Sequence, residues 1–181
     1  MKFKRKLQIK GEIMTQIKGC SCEKCIDCCN NSCGWFGSIE EVKGASKIMK
    51  MKLVDFAKEY LIEEYWSGKN DISVIAPRKD FERSKNNFIF EDDKIRNGKG
   101  FVRASWGHNL ITRVPCIFLD ENKCKIHESK PQECRECFAC KKSDKFKGRD
   151  KIANYWRKHQ AFILNLKKRI ENGKEKENEN K

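Results

Sequence analysis

Cys22, Cys25, Cys28 and Cys29 place four thiols within eight residues, and Cys20 and Cys33 flank them. A second group lies far downstream: Cys116, Cys124, Cys134, Cys137 and Cys140. Core packing gives no reason for thiols at two-residue gaps on a loop-like segment. Metal chemistry does, because a C-x2-C turn brings two sulfurs to one centre and aims nearby backbone N–H groups at them. The implied chemistry is thiolate coordination of zinc or iron, the latter including an iron–sulfur cluster.

The first run can be set against known spacings. Cys22, Cys25 and Cys28 match the first three ligands of a bacterial ferredoxin run, after which the match fails: position 32 is Ser, Cys33 stands one residue late, and no proline follows. A radical-enzyme spacing of C-x3-C-x2-C is absent, since position 21 is Ser. A zinc ribbon would use two separate C-x2-C pairs, unlike the triplets 22/25/28 and 134/137/140 and the Cys28–Cys29 doublet. Adjacent cysteines point in different directions on most backbones, so Cys28 and Cys29 either serve two different ions or one of them packs.

The second group leaves more alternatives. Cys116 lies in the apolar stretch Val114–Leu119 and reads as a ligand or as a small core residue. At least one of Cys137 and Cys140 is expected to be a ligand. His127, three residues after Cys124, is a candidate imidazole donor or a surface residue; His108 is a weaker candidate, and His159 falls on the core stripe of its helix. Glu23 and Asp27 read as solvated, and Arg135 beside Cys134 as a donor to thiolate sulfur.

The elements that must position these groups are partly legible. The 181 residues suggest one folded region, 19–170, between a basic arm at 1–18 and a disordered charged tail at 171–181. Ser38-Ile-Glu-Glu41 is a capping box opening a helix over 39–49, and a second helix is expected over 54–66, where Phe56, Tyr60, Leu61 and Tyr65 form a stripe. Residues 72–76 read as a strand stopped by Pro77, with further short strands at 87–91, 100–106 and 110–119 and a turn at 120–122. Ser129 and Pro131 introduce a short helix carrying Cys134 and Cys137. A long amphipathic helix is expected over 150–170, with Ile152, Tyr155, Trp156, His159, Phe162, Ile163, Leu166 and Ile170 at helical spacing. The fold class expected is α+β: a small cysteine-rich metal-binding domain with short strands and a long C-terminal amphipathic helix.

The formal net charge of +14 suggests nucleic acid or an acidic surface as a partner. Thiolates gathered on a divalent ion would offset part of that charge, and the lysines are scattered with no arginine-rich block, so solvated lysine is the preferred reading and nucleic acid is not favoured. No secretory signal is visible in the first eighteen residues, and apolar runs such as Val114–Leu119 are far too short to span a bilayer. The expected compartment is the cytosol, with no membrane partner, where cysteine density favours metal over disulfides; eleven cysteines, an odd number, cannot all pair.

Taken together, these motifs resemble a known family. Cys22-x2-Cys25-x2-Cys28-Cys29 is similar to the signature of the CxxCxxCC zinc- or iron-chelating domain family (YkgJ-like). Val114-Pro-Cys-Ile-Phe-Leu119, Cys124-Lys-Ile-His127-Glu128 and Lys130-Pro131-x2-Cys134-Arg135 resemble its downstream pattern, and the helix from Ser38 sits where that family places one. The likeness covers about residues 20–140. Lys130 stands where the family usually has Arg, and Cys137 occupies a site that is often aromatic. The resemblance implies metal chelation by the cysteines. The ligand set expected is Cys22, Cys25, Cys28, Cys29, Cys116, Cys124, Cys134 and Cys140, with Cys20, Cys33, Cys137 and His127 unassigned. The function expected is a zinc- or iron(-sulfur)-chelating protein of structural or redox type. The alternatives are a metal-dependent protein-modifying enzyme resembling flagellin lysine N-methylases, for which no Gly-rich loop following a strand is present, and a basic zinc module that binds nucleic acid.

Overall fold

The computed structural model describes residue 29 and residues 34–66, 72–83, 100–101, 114–121, 123–136 and 145–179. The arm at 1–18, the thiols Cys20, Cys22, Cys25, Cys28, Cys33, Cys137 and Cys140, His108, and the strand segments expected at 87–91, 102–106 and 110–113 lie outside the described residues.

Helix α1 (Ile39–Ile48) begins as its sequence dictates. Ser38 is extended, and its hydroxyl accepts the Glu41 N–H at 3.3 Å. Glu40 and Glu41 sit at the positive end of the helix and Lys47 at the negative end, while Val42, Ala45 and Ser46 form the buried stripe. Lys50 takes a left-handed conformation (φ 54°), and its N–H returns to the Lys47 carbonyl at 3.0 Å to close the helix. Helix α2 (Leu53–Tyr60) follows, burying Phe56 and Ala57.

The expected helix over 54–66 stops at Tyr60. Residues Leu61–Trp66 are instead strand β1, paired antiparallel with β2 (Ile72–Pro77) in the register Leu61↔Pro77 to Trp66↔Ile72. Pairing with β2 overrides the helical spacing of the apolar stripe here. Arg78 makes the break visible: its N–H takes the Tyr60 carbonyl at 2.9 Å and its Nε the Glu59 carbonyl at 2.7 Å, two acceptors at the end of α2.

A second hairpin joins β3 (Leu119–Asp120) to β4 (Lys123–Cys124), with Glu121 left-handed (φ 48°) at the expected turn. The strand expected up to residue 119 is reduced before β3 to an isolated bridge between Lys79 and Cys116. A 3-10 turn at His127–Ser129 leads into helix α3 (Gln132–Glu136), which carries Cys134.

The long C-terminal helix is two helices, α4 (Lys145–Lys158) and α5 (Gln160–Glu179). Helix α5 continues through most of the segment expected to be a disordered tail; its Glu and Lys residues are good helix formers even without apolar neighbours. The architecture is thus mixed, with five helices and two small antiparallel sheets among the described residues. Helix α4 packs on β2, and α5 packs on β2 and α2, so β2 is buried along its whole length. The core gathers Trp35, Phe36, Phe56, Leu61, Ile75 and Trp156 around this sheet, with Phe56, Tyr60 and Phe118 stacked at centroid distances of 5.5–5.7 Å.

Candidate metal centre

Four of the eight expected ligands are described: Cys29, Cys116, Cys124 and Cys134. The early group reaches the late one through Cys29, its one described member. The Cys116 N–H donates to the Cys29 carbonyl at 2.7 Å, although the two residues stand far apart in the chain. The Cys116 and Cys29 thiols both act electrostatically on the Cys134 thiol. No disulfide joins the four to one another.

Cys116 is held by the segment at 78–80. The Ile117 N–H bonds the Arg78 carbonyl at 3.1 Å and the Asp80 N–H the Pro115 carbonyl at 2.8 Å, forming a short antiparallel bridge in which Lys79 stands opposite Cys116. Lys79 is only 3% exposed, so a lysine is buried beside this thiol. Arg83 completes the support: its Nε pairs with Asp80 at 2.6 Å while its guanidinium donates to the carbonyls of Leu119 and, at 3.2 Å, Cys116. The turn that presents Cys116 is therefore fixed from behind by a planar fork of donors.

Cys134 is placed by Gly34-Trp35-Phe36, which runs between β2 and α3. Phe36 N–H bonds the Ile75 carbonyl of β2 at 2.9 Å, and Trp35 and Glu133 exchange bonds: Trp35 N–H to the Glu133 carboxylate at 3.0 Å, Glu133 N–H to the Trp35 carbonyl at 3.3 Å. The Gly34 N–H donates to the Cys134 sulfur. A Cβ on Gly34 would lie 2.5 Å from that sulfur and 2.9 Å from the Cys134 nitrogen, so only glycine allows this approach. Burial pushes the Cys134 thiol well above the usual range; the Cys116 and Cys29 thiols and the Glu133 carboxylate push the same way, and the Gly34 N–H acts against them.

Acidic and basic groups lock the surround. Arg149 on α4 binds Glu133 at 2.7 Å and lies 4.8 Å over the Trp35 ring. Glu41 accepts from Gly37 N–H at 2.7 Å, from Gln132 N–H at 3.0 Å and from Arg135. Arg135, expected to serve a thiolate, is thus engaged by Glu41 and, at 3.4 Å, by the Lys130 carbonyl. The capping-box pattern flagged Glu41, but nothing local pointed to Gly34, Arg83, Glu133 or Arg149, whose partners are remote in sequence.

Cys124 is half-buried on β4, opposite Leu119, three residues past Cys116. His127 is exposed. His159 is half-buried, with Nδ1 at 2.8 Å from the Tyr155 carbonyl and its ring stacked on Tyr155. Among the described residues, no group of three or more His, Cys, Asp or Glu is gathered to hold a metal ion; Cys22, Cys25, Cys28 and Cys140 lie outside that set. The donor chemistry nevertheless fits a thiophilic ion. The Cys116 and Cys29 thiols and the Glu133 carboxylate disfavour further negative charge at Cys134, and a bound cation would reverse that preference.

No family model matches the chain, and no curated protein or solved structure matches it. No helix among the described residues is long and apolar enough to cross a membrane.

Proposed function

We propose that this chain is a thiolate metal protein of structural or redox type, similar in plan to the CxxCxxCC chelating domains, with zinc or iron held jointly by its early and late cysteines. The observation that supports this reading is the 2.7 Å backbone bond from Cys116 to Cys29, which ties the end of the early cysteine run to the late group, with the Cys134 thiol in the electrostatic reach of both. Cys29 brings the CxxCxxCC run with it, so Cys22, Cys25 and Cys28 are tethered within a few residues of the same place. Cys124 and Cys140 complete the late set.

Bound there, the metal supplies a crosslink between chain segments and, if it is iron, a one-electron couple. The residues around it have separate tasks. Gly34 donates an N–H to sulfur, Arg83 fixes the carbonyls of the Cys116 turn, and Glu133 joins α3 to Trp35 and Arg149. The test is elemental analysis and absorption spectroscopy of protein purified without oxygen. Stoichiometric zinc or iron is expected, and Cys116→Ser and Cys134→Ser should each lower metal content and melting temperature together. Metal-free, folded protein with unchanged stability in both variants would overturn the reading.

A further inference from the structure

The outward face of α4 and α5 carries an ordered line of positive charge. Ile152, Trp156, Ile163, Leu166 and Ile170 are buried, so one inner face continues across the break at His159, and the opposite face continues with it. On that outer side Lys151, Lys158 and Arg169 are exposed. Lys151 and Lys158, about two turns apart, share one side of α4, and Arg169, about three turns further on, falls on the matching side of α5 because the buried stripe keeps its phase across the break. Asn154, Asn165 and Asn172, also exposed, repeat the two spacings in reverse order and form a second line alongside. Arg157 and Lys168 add exposed charge on the far flank of the asparagines, where the exposed acids of this face, Asp150 and Glu171, also fall. Neither acid lies on the cationic line.

Lys151, Lys158 and Arg169 make no ion pair with a described residue. The basic side chains of the site behave otherwise: Arg83, Arg135 and Arg149 are each engaged by a carboxylate. Lysines that look scattered in the sequence are therefore aligned by helical geometry on a chain of net charge +14.

We infer that this face binds the phosphate backbone of double-stranded nucleic acid, with Lys151, Lys158 and Arg169 contacting separate phosphates and the asparagine amides donating beside them. A polyanion fits a face whose cations have no carboxylate partner among the described residues. An anionic membrane fits less well, because the face is polar, with Leu164 its one exposed large apolar side chain among the described residues. The proposal does not depend on the metal reading.

The experiment is fluorescence anisotropy of the full chain as purified with a random-sequence duplex of about 20 base pairs over about 0.05–0.2 M salt. Binding should weaken with salt, and the triple variant Lys151→Gln/Lys158→Gln/Arg169→Gln should lose on the order of three phosphate contacts, flattening the log–log salt slope by about 2.7. The charge-matched control Lys43→Gln/Lys47→Gln/Lys52→Gln removes three exposed cations elsewhere and should bind like the parent. Equal loss in both variants would show a diffuse charge effect and overturn the proposal. So would absence of duplex binding by the parent, or binding to vesicles of anionic phospholipid but not to duplex.

Discussion

Gly34 has little room and a defined task. Its N–H reaches the Cys134 sulfur, and a methyl group in place of its hydrogen would meet that sulfur at 2.5 Å and the Glu133 Cβ at 3.1 Å. The colliding atoms belong to a helix backbone and a short side chain, neither of which can swing away. Gly34→Ala should therefore push α3 outward, costing about 1–3 kcal/mol in chemical denaturation and reducing bound metal at the same time. A variant as stable and as metal-loaded as the parent would mean that segment 34–36 and α3 are not held at this separation. At this scale the sequence displayed the thiols and hid their surroundings. Cysteine spacing is a local signal, whereas Glu133 meets Trp35 across 98 positions and Arg135 meets Glu41 across 94.

Single elements were legible where their signals are local. The Ser38 cap, the strand ending at Pro77, the turn after Asp120 and the short helix after Pro131 all stand where their turn and cap residues indicated. Strand β1 was not legible, because Leu61–Trp66 becomes a strand only when Ile72–Pro77 pairs with it. Its two carboxylates show the same dependence: Glu63 and Glu64 are each 4% exposed, unusual for a strand residue that reads as polar. Glu64 accepts the Trp35 indole N–H, and Glu63 takes the Ser73 hydroxyl and the Lys167 ammonium from α5. The second pair docks a helix onto a sheet. Lys167→Met leaves a buried carboxylate without its counter-charge and should cost about 2–4 kcal/mol. Adding Glu63→Gln removes the stranded charge while keeping an acceptor for Ser73, so the double variant should recover part of the loss in urea unfolding. A double variant no more stable than the single one would assign Lys167 a packing role only.

For the molecule as a whole, the contacts that matter span great distances along the chain. Phe36 alone gives its N–H to β2 and its carbonyl to the Trp156 indole, 2.6 Å away on α4. Cys29 is joined to Cys116, and Trp35 to Glu133 and Arg149. On the proposed reading, a metal held by the early and late cysteines would stiffen these connections together. Treating metal-loaded protein with a strong chelator should lower the melting temperature by about 10 °C, on the basis of about 3–4 kcal/mol withdrawn from a chain of this size. The fluorescence of the buried Trp35 and Trp156 should shift in the same transition. A chelated protein that melts unchanged would show that the fold closes without the ion.

The bond from Trp156 to Phe36 also has a bearing on biosynthesis, since its two residues are separated by 120 positions. At roughly 5–20 residues per second, about 6–24 s pass between translation of the phenylalanine and of the tryptophan that caps it. Cys116 and Cys134 are made only in the later part of that interval, so until then the segment at Cys29 lacks the residue it bonds in the fold. A nascent chain of this design is most vulnerable before its last helices leave the ribosome.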